Sequence, residues 1–407
     1  MDVVSAFLNG ELEDDIYMRQ PEGFVDPENP SKVCKLNRSL YGLKQSARCW
    51  NQLMDEYLKS SNYIQSSADP CVYFRKNKKG IMIFAVYVDD TIICSNNKAL
   101  LIAEKKRLSN AFEMDDRGEV HHILGMEVHR DRENRVLTID QKTYLEDVLQ
   151  RFGMEECKPV ATPLEAGKNF QKLADDEEPA DEKQYQAAVG SLNYAAIASR
   201  PDLSTAVGKL SQFMKSPSAE HWSAVKRVLR YVKGTLNLGL RFTHSDSFKL
   251  VGYSDSDWAG CLDSRKSTSG YVFRVGSSTV SWSSKKQSVV ALSSTEAEYI
   301  ALCSAAQETV WLRRLFVDLD MSQVEPTTVY EDNQGAICLS KNPTNHSRTK
   351  HIDVKYHYTR EMVESGVMKV DYVPTGDMVA DSLTKALPRP SFEKHRLSMG
   401  VEPRLES

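Results

Sequence analysis

The sequence has no closely spaced cysteines. Its eight lie at positions 34, 49, 71, 94, 157, 261, 303 and 338, never fewer than fifteen residues apart. That spacing excludes a CxxC redox motif and a zinc-finger ligand set, and it predicts eight reduced, partly buried thiols in an intracellular protein. No apolar run approaches the roughly 20 residues of a membrane span, so no membrane partner is expected. The opening MDVVSAFLNGELEDDIY lacks the basic and apolar regions of a secretory signal. Neither charge sign dominates: 52 basic against 56 acidic residues leave a net −4 over 407 residues. Global charge therefore carries no hint of nucleic acid, and any such hint must be local. No internal repeat is visible. Hydrophobic residues at 41% and charged residues at 27% exclude a wholly disordered, collagen-like or coiled-coil chain. At roughly 100–200 residues per domain, the length predicts two to four domains.

Four regions differ in texture. In 1–130 short β-like runs alternate with helix. The runs 81–88 (IMIFAVYV) and 91–94 (TIIC), joined by Asp89 and Asp90, predict a β-hairpin. Trp50, Leu53, Met54, Tyr57 and Leu58 fall at helical spacing and predict a helix over Ser46–Ser60. In 131–185 a helix is expected at 141–152, followed by a solvated acidic linker, ADDEEPADEK at 174–183. In 186–245 Pro201 suits a first helical residue, Ser218 a cap and Gly234 a stop. Trp222, Val225, Val228, Leu229 and Val232 share one helix face there. Lys226, Arg227, Arg230 and Lys233 fall elsewhere, as a solvated face or a phosphate-tracking patch. In 246–388 strands are expected at 249–254, 269–275 and 279–283, then a long helix at 295–318. A strand at 327–331, a short helix from Asn333, a basic helix at 348–364, a strand at 367–373 and a last helix from Asp377 follow. That order predicts a mixed-sheet α/β domain within an α+β multidomain chain, with a tail at 389–407.

The acids carry the chemistry. Asp89 and Asp90 read alone as turn residues. The apolar strands on both sides, however, would hold them rigidly at a sheet edge, where carboxylates suit a hard divalent cation. Asp2, at the mouth of another β-like segment, offers a further acid. In the C-terminal region Asp255 (YSDSDW), Glu296 (SSTEAEY), Asp332 (YEDNQ) and Asp381 (VADSLTK) stand at a strand end, a helix start, a second strand end and a final helix. Each has a plain structural alternative. Glu296 could complete a capping box with Ser293, Asp332 could cap the helix that follows it, Asp255 could be a turn acid and Asp381 an exposed helix residue. Asp257 competes for the role of Asp255. Four such acids brought together would repel unless cations joined them. A zinc pair from His351 and His357 is disfavoured by their spacing, and His121, His122 and His129 lack a ligand set at metal spacing.

The stretches DVVSAFLNGELEDDIYMRQPEGF, LNRSLYGLKQSARCWN and YVDD, with the later acidic motifs, resemble the reverse transcriptase–RNase H part of the Pol polyprotein of copia-type LTR retrotransposons. The resemblance implies a polymerase palm at 1–130, thumb and acidic linker at 131–185, helical connection at 186–245 and an RNase H domain at 246–388. It implies that Asp2 and Asp89 bind two Mg²⁺, with Asp90 completing the motif. Asp255, Glu296, Asp332 and Asp381 would bind a second pair, and Mn²⁺ could substitute at both sites. Lys44 and Gln45, with Tyr87, would sit near the incoming nucleotide. Partners implied are an RNA template with primer, deoxynucleoside triphosphates and RNA–DNA hybrids. The implied location is cytoplasmic virus-like particles or the nucleus. The basic stretch from Arg348 through Lys350 and Lys355 to Arg360 would contact the hybrid backbone. Two positions depart from the family: Ala47 replaces a usual Pro, and Arg117 a usual Leu. The chain is expected to start inside the first catalytic motif, with the fingers, protease and integrase before Met1 and polymerase activity incomplete. The alternative is a non-catalytic transposon remnant that at most binds nucleic acid. A cellular RNase H is disfavoured by the palm-like 1–130.

Overall fold

The computed structural model describes residues 1–174, 176–245, 247–341 and 353–405. The chain forms two compact units, residues 1–120 with 314–322, and residues 121–313 with 323–407.

The first unit is built on a six-stranded antiparallel sheet. Its order is Ile64–Gln65, Val72–Asn77, Gly80–Tyr87, Asp90–Ser95, Asp2–Val3 and Met114–Asp115. Alternation along Gly80–Tyr87 points Met82 and Phe84 into the core, where both are fully buried. The helix Ser46–Ser60 covers them with Trp50, Met54 and Leu58, a stripe at four-residue steps. Asn97 caps the second helix, Lys98–Ala111, by accepting from the Ala99 and Leu100 amides.

The second unit holds two five-stranded sheets and a helical core. One sheet is antiparallel and runs Val401–Pro403, Leu238–Thr243, Val136–Asp140, Met126–Asp131, His122–Ile123. The other runs Ser278–Lys286, Thr268–Val275, Leu250–Ser256, Thr327–Glu331, Met368–Tyr372. Its first three strands are antiparallel neighbours, and the last two join in parallel. Parallel neighbours need crossovers. The helix Ser294–Asp318 makes the first, and Gln334–Lys341 with Asp353–Glu364 make the second. The helical core joins Leu145, Val148, Tyr185, Leu192, Leu210, Val228 and Phe392.

Several expected boundaries move. The break at 130/131 falls inside a hairpin paired from Glu127↔Asp140 to Asp131↔Val136. Residues 131–185 and 186–245 share one core rather than forming separate bodies. Residues 389–407 are no tail: the helix Arg389–Ser398 buries Phe392, and Val401–Pro403 pairs with Leu238–Thr243. Composition along the chain cannot reveal such long-range pairing. The last helix expected from Asp377 is two short 3₁₀ turns, Thr375–Asp377 and Val379–Leu383. Val379 through Leu383 are all buried, which leaves no polar face for an amphipathic α-helix. Of the basic stretch, Arg348, Lys350 and His351 lie outside the described residues. Arg360 is buried and bonded to His357, so it is no surface phosphate contact. On the helix Ala219–Lys233, Arg227 donates to Thr162 and Arg230 to the Lys158 carbonyl, so half of that basic set anchors a loop.

One buried ion pair joins the 3₁₀ turn Pro201–Leu203 to the end of the helix Ala219–Lys233. Arg200 and Asp202 are both fully buried and bond through two N–H donors at 2.9 and 2.7 Å. Arg200 also donates to Thr235, and the Tyr231 hydroxyl donates to Asp202 at 2.7 Å. Removing one partner strands the other charge. Asp202→Asn should therefore destabilise the second unit by about 3–5 kcal/mol. Urea unfolding would check this, and a loss below about 1 kcal/mol, typical of an exposed pair, would contradict it.

Candidate active sites

The acid-tipped hairpin of the first unit turns on Val88 and Asp89, because Tyr87 pairs with Asp90. Val88 has φ 56°, a left-handed conformation that a β-branched residue enters only under strain. Two bonds hold the turn. Trp50 Nε1 donates to the Val88 carbonyl at 2.6 Å, and the Val3 amide donates to the Asp89 carbonyl at 3.0 Å. Asp2 lies opposite Asp90 on one side and Asp115 on the other, so the two motifs share adjacent strands. Burial, and then the charges of Asp89 and Asp2, push the Asp90 carboxyl up. Among the described residues no three of these acids bring ligand oxygens within 4.8 Å of one another. Arg117 instead takes Asp2, at 2.9 Å, and reaches Asp115 at 3.4 Å. Lys44 is exposed, and the Gln45 amide donates toward Asp14 at 3.4 Å. Tyr87 is exposed.

In the second unit the acids converge. Asp255, Asp332 and Asp381 offer oxygens within 4.8 Å of one another, and so do Glu298, Glu331 and Asp332. Asp332 belongs to both groups. Asp255 ends its strand fully buried, opposite Gly270. A Cβ at Gly270 would meet Thr384 Cγ2 at 2.8 Å and Leu383 Cβ at 2.9 Å, so glycine there lets the 379–385 segment close over the sheet. That segment brings Asp381 to Asp255, with Thr384 donating to Asp255 Oδ2. Lys385 Nζ sits 3.2 Å from Asp255 and 2.8 Å from Asp381. The Thr375 hydroxyl donates to Asp332 at 2.6 Å. Gln287 ties the start of the long helix to the sheet, donating to the Ala297 carbonyl, Ser256 and Ser269.

Glu296 is not in this cluster. Its own amide donates to the Ser293 hydroxyl, one half of the expected capping box, while its carboxylate accepts from the Leu292 amide at 3.0 Å in place of the Ser293 amide. Two residues further on is about 200° around an α-helix, and Glu298 is the glutamate that faces the sheet. The motif STEAEY offered two glutamates, and helical phase decides between them. Glu331, also missed, ends the neighbouring strand. The cap of the helix Gln334–Lys341 is Asn333, which accepts from the Ala336 amide, so Asp332 stays directed at the cluster. Asp257 is outside both groups and accepts from the Thr268 amide. His129, read as lacking ligands, sits 3.1 Å from Asp140 and 3.6 Å from Glu127. Glu127 lies two residues back on the same strand and Asp140 stands opposite Glu127 on the paired one, and Arg404, 3.3 Å from Glu127, already supplies a cation there.

Burial dominates the electrostatics. It pushes Asp255 up to about 6 against the pull of Lys385. Burial, then the charges of Asp255, Glu331 and Asp332, push Glu298 up to about 11. Glu331 is raised for the same reasons, burial first and Asp255 next. Oxygen-only donors in this number suit a hard divalent ion.

The folds and sites define the class: an α+β chain with acids at a hairpin tip on one antiparallel sheet and a converging carboxylate cluster on a second, mixed sheet. Residues 1–166 match the family described as reverse transcriptase (RNA-dependent DNA polymerase). Over 407 residues the chain is 46% identical to the retrovirus-related Pol polyprotein from transposon TNT 1-94 of Nicotiana tabacum. That match covers 98% of this chain and 30% of the tobacco protein. A transposon Ty5-1 protein of Saccharomyces cerevisiae is 34% identical over 313 residues, covering 76% of this chain and 99% of the yeast protein. A solved N-terminal RNase H domain from Mycobacterium tuberculosis, fused to maltose binding protein, aligns at 17% identity with a TM-score of 0.25. It covers 37% of this chain and 99% of that one. The chain belongs to the copia-type LTR retrotransposon Pol family, with the reverse transcriptase match over residues 1–166. It spans less than a third of the plant Pol polyproteins it matches.

The raised carboxyls set a pH dependence. Without metal, folded Asp255 and Glu298 hold protons that an unfolded chain releases near pH 4. Their contribution to stability is full below that pH. It declines at about 1.4 kcal/mol per proton per pH unit, until Asp255 ionises near 6 and Glu298 far higher. In chelator, the second unit should therefore melt at a lower temperature at pH 8 than at pH 5. Saturating Mn²⁺, which requires ionised ligands, should reverse that order. Equal melting temperatures at both pH values in chelator would contradict the assignment.

Proposed function

We propose that this chain carries two phosphoryl-transfer activities on nucleic acid. The second unit hydrolyses the RNA strand of RNA–DNA hybrids, and the palm extends a primer on an RNA template with deoxynucleoside triphosphates. The observation that carries the reading is the pair of three-carboxylate groups joined at Asp332. Two Mg²⁺ ions, or Mn²⁺ in their place, suit that donor set. Bound there, such a pair supplies an activated water and stabilises the leaving oxygen of an in-line displacement.

The chain's own residues present the ligands. Asp255 is held on both oxygens, by Thr384 and by Lys385, so its carboxylate is oriented in advance and an incoming cation has only the Lys385 ammonium to displace. Thr375 orients Asp332. Lys385 balances Asp255 and Asp381 while no divalent ion does so. In the palm, Asp2 and Asp89 are the ligands and Asp90 backs them from the adjacent strand.

A second reading applies to the palm alone. Arg117 holds Asp2, so an ion entering there must displace a guanidinium. This favours a palm that binds nucleic acid with little synthesis.

The purified chain should cleave the RNA of a labelled hybrid with Mg²⁺ and stop on chelation. Asp255→Asn should lose at least roughly 100-fold, more than an outer-shell change costs. Undiminished cleavage by that variant would refute the nuclease assignment. Primer extension on poly(rA)–oligo(dT) decides the palm: synthesis that Asp89→Asn abolishes supports the polymerase, and no synthesis by the unaltered chain supports the second reading.

A further inference from the structure

The carboxylate cluster contains three of the four acids expected from the sequence motifs, Asp255, Asp332 and Asp381, and two others, Glu298 and Glu331. Glu331 is the last residue of the strand Thr327–Glu331, whose burial alternates so that Thr327, Val329 and Glu331 face inward. It is fully buried. One carboxylate oxygen, Oε1, accepts from the Asn333 amide at 3.2 Å. The other, Oε2, has no hydrogen-bond partner. Glu298, buried on the helix Ser294–Asp318, has an unpartnered Oε2 as well. Glu331, Glu298 and Asp332 bring one oxygen each within 4.8 Å of the other two.

A buried carboxyl oxygen without a donor is costly, and two that converge are more so. The local backbone offers no relief. Asn333 turns its side-chain oxygen to the helix cap, and Lys385 reaches Asp255 and Asp381 rather than the Glu298 side. Beside Asp255 and Asp381 a cation of the chain is present. Beside Glu298 and Glu331 the described ion pairs include none. A divalent ion satisfies all three oxygens at once, and an all-oxygen set is what Mg²⁺ or Mn²⁺ takes.

We propose that Glu331 is a metal ligand: with Glu298 it holds one ion of the pair, while Asp255 and Asp381 hold the other and Asp332 serves both. This assignment rests on the metal-dependent nuclease reading, and it divides the site into two ion positions of different character. The position at Asp255 and Asp381 has a resident ammonium that an incoming ion must outcompete. The position at Glu298 and Glu331 has no resident ammonium and, with its carboxylates ionised, should fill first.

Mn²⁺ titration of the full chain, followed by electron paramagnetic resonance of the free ion, tests this. The wild type should bind a tighter and a weaker ion in the second unit, counted in an Asp2→Asn/Asp89→Asn background to silence the palm. Glu331→Gln keeps shape and should weaken the tighter ion by at least roughly 100-fold, more than an outer-shell change costs, leaving the weaker one unchanged. Glu298→Gln should strike the same ion, and Asp255→Asn the other. In chelator, Glu331→Gln should melt at or above the wild-type temperature, because it removes a crowded acid; this also reports that the variant folds. Wild-type Mn²⁺ binding by a folded Glu331→Gln overturns the proposal and leaves the nuclease reading intact. A chain that binds no Mn²⁺ outside the palm overturns both. Should Glu331→Gln melt well below the wild type, the Glu298→Gln titration decides: loss of the weaker ion, or of neither, overturns the proposal.

Discussion

Crowded negative charge at one end of a sheet is the constraint around which the second unit is organised. Asp255, Glu298, Glu331, Asp332 and Asp381 stand at strand ends, on a helix and on a 3₁₀ turn, and four of the five are buried. Carboxylates so placed repel and lose hydration, which is why burial lifts Asp255 to about 6 and Glu298 to about 11. A fold that served stability alone would not gather them. The neighbouring features answer that charge. Gly270 has no side chain, so the 379–385 segment can close. Lys385 arrives with that segment, and Thr384 fixes the most buried acid. Gln287, itself buried, pins the helix that carries Glu298.

The palm handles its acids differently. Asp2, Asp89 and Asp90 are spread over a turn and two strands, and a strained Val88 is held by Trp50 from the covering helix. The counter-charge here is Arg117, which is exposed and therefore screened by water and salt. Such a pair yields more readily to a divalent ion than a buried one would. The two sites thus balance negative charge by a surface arginine in one unit and a half-buried lysine in the other.

Much of this was legible in the amino-acid sequence, and the misses have physical causes. The helix Ser46–Ser60, the Ser218 cap and the succession of strands and helices along the C-terminal domain follow from period, cap chemistry and turn residues. Asp255, Asp332 and Asp381 were marked because each ends or follows an element. Glu296 was chosen over Glu298 because helical phase cannot be set without knowing which face meets the sheet. Glu331 was invisible because a strand-end acid beside a stronger candidate carries no signal of its own. The pairing of Val401–Pro403 with Leu238–Thr243, and the Glu127–His129–Asp140 group, come from long-range register. No local pattern encodes that register.

The central claim is that the acids of the second unit form a two-ion site hinged on Asp332. Anomalous diffraction at the manganese edge, from crystals of the chain grown with Mn²⁺, tests it most directly. The account predicts two anomalous peaks, one on either side of the Asp332 carboxylate, roughly 3.5–4 Å apart as in other two-metal sites. A single peak held by Asp255 and Asp381 alone, or peaks that leave Glu298 and Asp332 without metal, would contradict it.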